Sequence, residues 1–296
     1  MADILASDIS IIKKNLFRFS APGSTIEYIQ RLGGLTNHSY RVDIKGESYL
    51  VRLPGEGTEE LVNRTDEKKS TELACNLGID ADLLYFGSDG LKISQYIPNA
   101  VTMSPAEMCR TENIKDAARL FSRLHSCGID TGVPFDVFNM AESYEHFIRK
   151  NRVTLYDDYE TIKESIKRIR NSKEMRATFL VPCHNDPLCE NWVRSDKRLY
   201  LVDWEYAGMN DPLWDLADLS IEAHYGEKED TLLLMTYFGR NIKKTDFIRF
   251  VANKLFLDFL WTLWGKTRVP FDGRPMEDYA DKRYKRLKSN LNLFGS

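Results

Sequence analysis

Short apolar stretches separated by turn residues fill the first hundred residues of the chain. Each stretch is four to seven residues long and rich in aliphatic or aromatic side chains, with glycine or proline between or after them. Such stretches are typical of strands joined by turns. They therefore predict an antiparallel sheet of five strands. The predicted strands are residues 25–31, 39–44, 48–53, 83–86 and 91–96.

Helical patterning begins inside this region and dominates after residue 104. Residues 61–77 have helical character and end at Gly78, which suits the left-handed position after a helix. Ser104 and Pro105 match an N-cap followed by a proline in the first turn. The chain therefore changes from mostly strands to mostly helices. Further amphipathic segments are residues 114–125 and 144–149.

Length and composition fit a two-lobed globular protein. The chain has 296 residues, of which 43% are hydrophobic, so it can bury a substantial core. We predict an α+β fold with two lobes. The N-terminal lobe, residues 1–98, would hold the five-stranded antiparallel sheet and one helix. The larger C-terminal lobe, residues 99–296, would be mostly helical.

The charge and cysteine content exclude several classes of partner and site. A net charge of −3, with basic and acidic residues intermixed, offers no basic field for nucleic acid. The N-terminus lacks a basic region before an apolar run, and no apolar run reaches eighteen residues. We therefore expect a cytoplasmic protein without membrane insertion. Five cysteines without a C-x-x-C pair argue against a disulfide framework and a zinc site. Oligomeric state stays open.

Residues 184–191, which read HNDPLCEN, carry the candidate chemistry. Protein kinases have H-R-D-x-x-x-x-N, whose Asp accepts the hydroxyl proton and whose Asn binds Mg²⁺. Asp186 and Asn191 stand at that spacing, and Asp203 ends an apolar stretch typical of a strand. We predict Asp186 as catalytic base, with Asn191 and Asp203 as Mg²⁺ ligands. The alternative is ordinary turn residues, and we expect His184 to be structural.

A double glycine between the first two predicted strands is a candidate phosphate loop. Glycine lets backbone N–H groups approach an anion closely. On its own, the pattern fits a simple hairpin turn equally well, and its position in a kinase-like order favours the phosphate loop. The candidate nucleotide-binding residues of this loop are Gly33, Gly34, Thr36 and Asn37.

Arg52 occupies the place of the lysine that contacts nucleotide phosphates in protein kinases. It is cationic and offers a forked set of donors. Its partner should be an acidic residue on the helix that follows. Glu67 is the first choice and Glu72 the second, because spacing alone does not separate them.

Six strings along the chain match a known family: GGLTN (33–37), NRTDE (63–67), HNDPLCEN (184–191), DWEY (203–206), NDPLWDLA (210–217) and WTLW (261–264). On these strings the chain resembles, over nearly its whole length, choline kinases of the bacterial LicA type, within the choline/ethanolamine kinase and aminoglycoside phosphotransferase group. The sequence D-W-E replaces D-F-G, and no A-P-E follows, unlike in protein kinases. The resemblance implies a protein-kinase-like fold, ATP with Mg²⁺, and a small amino alcohol as acceptor.

The resemblance also implies an acceptor site. It matches Trp261, Trp264 and Tyr279 to aromatic residues of a choline pocket, and Glu205 and Glu222 to its acidic positions. Aromatic faces bind quaternary ammonium groups. The alternative is that a tryptophan pair at helical spacing belongs to the core.

Three further expectations complete this interpretation. Asp215 should anchor the catalytic loop rather than touch substrate. Adenine should lie against the segment joining the lobes, near Gln95 and Ile97. The expected reaction is phosphorylation of choline to phosphocholine and ADP, and the resemblance suggests that the product supplies a bacterial surface glycan. The alternatives are an ethanolamine kinase and a catalytically inactive choline-binding module.

Overall fold

The structure is a computed structural model that describes residues 5–15, 18, 20–32, 37–55, 62–176, 179–196 and 198–294. The chain divides into two compact units. The first unit comprises residues 1–103 and 190–207, and the second comprises residues 104–189 and 208–296. The lobe boundary expected at residue 98 remains a prediction.

The first unit contains the predicted five-stranded antiparallel sheet, in the order β1-β2-β3-β5-β4. Four strands lie within one residue of their predicted bounds. The first strand begins three residues later than predicted, after a turn in which Ser24 N donates to Ala21 O at 3.2 Å. The strands are β1 (Tyr28–Arg31), β2 (His38–Ile44), β3 (Glu47–Leu53), β4 (Leu83–Phe86) and β5 (Lys92–Gln95).

Two helices accompany this sheet, one predicted and one not. Helix α2 (Arg64–Asn76) is followed by Gly78 at φ 63°, as the sequence indicated, and it begins after an Asn63 cap that was not predicted. Helix α1 (Ala6–Asn15) was not predicted. It buries Ile12 completely in the sheet's core.

A small hairpin completes the first unit. Strand β8 (Trp192–Arg194) pairs with β9 (Leu199–Leu201) on one side and with β6 (Val101–Thr102) on the other. A short 3₁₀ helix, Cys189–Asn191, precedes β8. Because Trp192 pairs with Leu201, the residues flanking this pair lie at the same end of the hairpin.

The second unit is mostly helical. Ser104 caps its first helix in a capping box with Glu107, and Pro105 occupies the first turn, as predicted. Strands β7 (Val181–Cys183) and β10 (Gly208–Asn210) pair antiparallel. The helices are α3 (Pro105–Met108), α4 (Thr111–His125), α5 (Val137–Lys150), α6 (Tyr159–Arg170), α7 (Lys173–Arg176), α8 (Pro212–Glu222), α9 (Glu227–Phe238), α10 (Lys244–Asp272) and α11 (Arg274–Phe294).

Helix α10 runs through the middle of the second unit's core. Leu255, Leu257, Leu260 and Leu263 are fully buried along it. Burying a leucine contributes roughly 1.5–3 kcal/mol, so this helix is the main apolar support of the unit. Among the described residues, no helix has the length and apolarity needed to cross a bilayer.

Candidate active site

The loop carrying Asp186 follows β7 and is held by helix α8. Both carboxylate oxygens of Asp215 accept backbone hydrogen bonds, from His184 N and Asn185 N, at 2.8 Å each. Asp215 is fully buried. Its predicted role as the anchor of this loop is therefore confirmed.

Asn185 adopts an unusual backbone conformation in this loop, with φ of 68°. Its side-chain oxygen accepts from Asn210 Nδ2 at 2.9 Å, and its carbonyl accepts from Trp214 Nε1 at 3.0 Å. These contacts compensate for the strained conformation. His184 is completely buried, and its Nδ1 accepts from Asp186 N at 3.3 Å. These contacts are structural, as expected for His184.

Asn191 and Asp203 lie at the same end of the β8–β9 hairpin. Val202 N donates to Asn191 O at 2.9 Å, which ties the two segments together. The backbone of Asp203 has φ of 70°, and its side chain is 32% exposed. Amide and carboxylate oxygens are the hard donors that Mg²⁺ prefers. The chemistry of these two side chains therefore fits a magnesium site.

Arg52 on β3 connects Asp203 to helix α2. Its Nη1 donates to Asp203 Oδ1 at 2.7 Å, and its Nη2 donates to Glu67 Oε1. Glu67 also accepts from Arg64 Nη1 at 2.7 Å. Glu72 is half-exposed and instead lies 3.8 Å from Lys68. The partner of Arg52 is thus Glu67, the first choice from the sequence.

Glu205 joins this charged cluster. It accepts from Asn37 Nδ2 at 3.2 Å and lies 3.8 Å from Arg64 Nη1. Burial, reinforced by Asp203 and opposed by Arg52, raises the pKa of Glu205 to about 7. Burial lowers the pKa of Arg52, but Glu67, Asp203 and Glu205 outweigh it, so the pKa lies above its ordinary value. Arg52 therefore stays charged.

The remaining predicted nucleotide residues also fall in the first unit. Gln95 is exposed at the end of β5, and Ile97 is buried just beyond it. Their role near adenine stays a prediction. Gly33, Gly34 and Thr36 lie outside the described residues.

The three predicted aromatic residues meet in the second unit. The rings of Trp261 and Trp264 are 6.1 Å apart at 89°, and those of Trp264 and Tyr279 are 5.8 Å apart at 75°. Trp261 is buried, whereas Trp264 and Tyr279 keep part of their surface accessible. A Cβ at Gly265 would come within 2.8 Å of the Tyr279 ring. Glycine at this position therefore lets α11 bring Tyr279 against α10.

Acidic groups act electrostatically on Tyr279. Burial raises the pKa of its phenol, Arg283 opposes the shift, and Glu222, Asp186 and Asp218 add to it. The charge of the catalytic candidate Asp186 therefore acts on Tyr279. Arg283 lies over the Tyr279 ring, 4.9 Å from its centroid, and donates to Glu222 Oε1.

Asp218 is a candidate that the sequence interpretation missed. It is fully buried, and neither carboxylate oxygen has a hydrogen-bond partner within the described part of the chain. Burial, followed by Glu222 and Asp186 and opposed by Arg283, raises its pKa well above the ordinary value. A signal was present, because Asp218 is three residues after Asp215 and four before Glu222 on one helix face. Arg283 was also missed, and its signal is again helical spacing, because it lies four residues after Tyr279 on α11.

The predicted acidic positions are divided between the units. Glu222 lies in the same unit as the aromatic residues, whereas Glu205 belongs to the first unit and contacts Asn37 and Arg64. Their roles in acceptor binding stay predictions.

The charged cluster, the anchored loop and the aromatic group agree with a known family. A model of choline/ethanolamine kinases matches residues 29–266 of the chain. This chain belongs to the choline/ethanolamine kinase family. The resemblance inferred from the sequence motifs is thereby confirmed, and the protein is a small-molecule kinase of this family.

Individual members of the choline/ethanolamine kinase family match over most of their length. Protein LicA of Haemophilus influenzae is 29% identical over 275 residues, covering 90% of this chain and 79% of that protein. The structure of a Mesorhizobium loti family protein has a TM-score of 0.83 at 32% identity, covering 97% of this chain and 95% of that one. Choline kinase LicA from Streptococcus pneumoniae has a TM-score of 0.81 at 28% identity, covering 96% and 98%.

A LicA structure in complex with AMP has a TM-score of 0.80 at 27% identity, covering 96% of this chain and 98% of that one. Membership of the choline/ethanolamine kinase family and this neighbour support nucleotide binding by the protein. The predicted α+β, protein-kinase-like fold is confirmed by these neighbours and by the five-stranded antiparallel sheet.

Proposed function

We propose that the protein transfers the γ-phosphoryl group of ATP to the hydroxyl of choline, giving phosphocholine and ADP. The choline oxygen bonds to the γ-phosphorus, the bond to the β–γ bridging oxygen breaks, and Asp186 accepts the hydroxyl proton. The observation that carries the proposal is the meeting of the Trp261, Trp264 and Tyr279 rings, with the charges of Glu222 and Asp186 acting on the Tyr279 phenol.

The donor side uses side chains of the first unit. Arg52 would contact the phosphates, since it remains charged and its forked guanidinium matches phosphate oxygens. Asn191 and Asp203 would hold Mg²⁺. When bound, this ion neutralises charge that develops on the phosphoryl oxygens. Residues of the glycine loop and the segment near residue 95 complete the proposed nucleotide site.

The acceptor side favours a quaternary ammonium group. Choline's methylated nitrogen has no N–H to donate, so it gains most from aromatic faces and nearby negative charge. Trp264 and Tyr279 present accessible aromatic surface in nearly perpendicular orientation, and Glu222 supplies a carboxylate. A desolvated cation over tryptophan gains about 2 kcal/mol, which is roughly a thirtyfold preference.

Ethanolamine is the second candidate, because of one observation. The carboxylate oxygens of Asp218 have no hydrogen-bond partner among the described residues. An acceptor with N–H groups could satisfy such oxygens if it reached them, whereas choline could not. Glu205 and Glu222 would serve the same purpose.

The test is ADP release by the purified protein with MgATP, supplied separately with choline, ethanolamine, thiamine and kanamycin. Asp186→Asn serves as the matched inactive control. Selective turnover of choline supports the proposal. Turnover of ethanolamine alone keeps the kinase and rejects the quaternary-ammonium site. Nucleotide and choline binding without turnover of any acceptor would leave an inactive binding module.

The product would have a use on the bacterial surface. We propose that phosphocholine made in the cytoplasm supplies decoration of a surface glycan. Loss of surface phosphocholine in a deletion strain, restored by the wild-type gene but not by Asp186→Asn, is the expected result. Unchanged surface phosphocholine would contradict it.

A further inference from the structure

A chain of hydrogen bonds, buried or partly buried, leads away from the catalytic loop to two helices that carry no predicted site residue. Asp215 Oδ2, which holds the amide of His184, also accepts from His125 Nε2 at 3.0 Å. His125 Nδ1 is 3.0 Å from the hydroxyl of Tyr237. The chain therefore joins α9, α4 and α8 to the loop within the second unit.

The partners of His125 fix its tautomer. An aspartate carboxylate that already accepts two backbone N–H groups is an acceptor, so His125 Nε2 carries the proton. His125 Nδ1 faces the Tyr237 hydroxyl, which holds the other edge of the ring. Burial, with Cys183 and Asp215 adding, raises the pKa of Tyr237 above its ordinary value, so its hydroxyl remains a donor.

Two aromatic rings also contact the His125 imidazole. It stacks on Phe121 with a centroid distance of 5.6 Å and an angle of 10°, and it meets Tyr237 edge-on at 5.6 Å. The side chain of His125 is only 3% exposed. A ring with one orientation and one tautomer fixes the Asp215 carboxylate, which in turn fixes the two peptide groups before Asp186.

We infer that His125, supported by Tyr237, is a positioning residue that orients the catalytic loop through Asp215. The inference rests on the proposed function, because it assigns Asp186 to the proton transfer. Misplacing a reacting group by about 1 Å can cost about a hundredfold in rate. The effect should therefore appear in kcat and leave the affinity for both substrates nearly unchanged.

A buried metal site is the competing explanation of this cluster. Ligand atoms of His125, Cys183 and Asp215 lie within 4.8 Å of one another. However, both Asp215 oxygens and both His125 nitrogens already have hydrogen-bonding neighbours. Burial, reinforced by Asp215, also raises the pKa of Cys183, whereas a metal requires the thiolate. The hydrogen-bonded chain therefore accounts for the cluster better.

The kinetic test compares His125→Phe with His146→Phe, its matched control at an exposed site of the same unit. Phenylalanine keeps the stacking and removes both nitrogens. We expect His125→Phe to lower kcat roughly 10- to 100-fold, with each KM within about twofold of wild type. His125→Gln, which restores a donor, should recover part of the rate. An unchanged kcat, or an equal loss in His146→Phe, would overturn the inference.

Two measurements are independent of turnover, so they separate this inference from the proposed function. Nitrogen-15 NMR of the wild-type histidines should show one ring, absent in His125→Phe, whose Nε2 carries a hydrogen-bonded proton. The amide hydrogens of His184 and Asn185 should exchange with solvent faster in His125→Phe than in wild type, and at the wild-type rate in His146→Phe.

The opposite tautomer, unaltered amide exchange, or a stoichiometric metal retained through dialysis would each contradict the positioning role. If wild type turns over no acceptor while these NMR results appear as expected, the proposed function fails and the anchoring chain stands.

Discussion

Two clusters of ionisable side chains in this protein differ in how their carboxylates are paired. In the first unit, Arg52 and Arg64 face Glu67, Asp203 and Glu205, so each of these carboxylates has a cationic neighbour. In the second unit, Arg283 is the close cation of a group that includes Asp218, Glu222 and Asp186. There the hydrogen-bonding capacity of Asp218 is unused within the described residues.

The difference indicates what each cluster is suited to bind. Paired arginines with fixed geometry form a preorganised set of donors, which suits phosphate oxygens and the cation that accompanies them. A group in which the buried carboxylate of Asp218 accepts no hydrogen bond from the described residues, in the same unit as the aromatic faces, suits a positively charged acceptor. The proposed division of labour between nucleotide and choline follows from this contrast.

The largest expected effect is the loss of the proposed base. Asp186→Asn should lower kcat by about 10²–10⁴-fold, because asparagine cannot accept the hydroxyl proton. Nucleotide affinity, measured by calorimetric titration, should be unchanged. Asp157→Asn, at an exposed site in the same unit, should retain full activity. A rate close to wild type in Asp186→Asn would remove Asp186 from the chemistry.

The next largest effect is expected in the ion-pair cluster around Arg52 in the first unit. Arg52→Met removes one of the two arginines that pair with buried Glu67 and leaves Arg64 as the other, and breaking a buried ion pair costs at most about 3–5 kcal/mol of unfolding free energy. Denaturant titration measures this loss, and ATP affinity should fall with it. Arg41→Met, which breaks a more exposed pair with Asp43 in the same sheet, should have a much smaller effect. Equal losses in the two variants would contradict the preorganised donor set.

Removing the aromatic face of Trp264 should change the KM of one substrate only. Trp264→Leu should raise KM for choline about thirtyfold and leave KM for ATP nearly unchanged, since a cation over tryptophan gains about 2 kcal/mol. Trp264→Phe keeps an aromatic face and should lose less. If both KM values rise together in Trp264→Leu, the residue supports the core instead of the acceptor.

The smallest effect is a pH dependence at Asp218. Its pKa is raised on folding, chiefly by burial and then by Glu222 and Asp186. Protonation thus favours the folded state, and the stability it contributes is lost as pH rises above the ordinary carboxyl range. The uncharged amide in the Asp218→Asn variant mimics the neutral acid.

The Tm of Asp218→Asn relative to wild type should therefore be higher at pH 8 than at pH 5, as measured by thermal unfolding in matched buffers. A Tm difference that is the same at both pH values would show that Asp218 does not titrate differently on folding.

The sequence could predict the elements that local patterns specify. The strands follow from apolar stretches between turn residues, and the loop at 184–191 follows from its spacing. Glu67 and Glu72 could not be separated, because five residues on a helix place them about 140° apart without showing which one faces the sheet. Only the packing of α2 shows that Glu67 is the buried one.

Helix α1 and the unused hydrogen-bonding capacity of Asp218 could not be predicted from local sequence patterns, because both depend on tertiary packing. Helix α1 is fastened by Asp8, which accepts from Tyr40 Oη at 2.6 Å and lies 2.7 Å from His38 Nδ1, and both partners are on β2. The helical spacing of Asp218 is visible in the sequence. That no donor reaches it from the described residues depends on how α8 packs within the unit.

The central claim, that choline is the acceptor, is tested most directly by competition. Equimolar choline and ethanolamine would be incubated with the wild-type protein and limiting MgATP, and the products identified by phosphorus-31 NMR. The account predicts that phosphocholine dominates and that the preference shrinks in Trp264→Leu. A predominance of phosphoethanolamine in the wild-type reaction would contradict it.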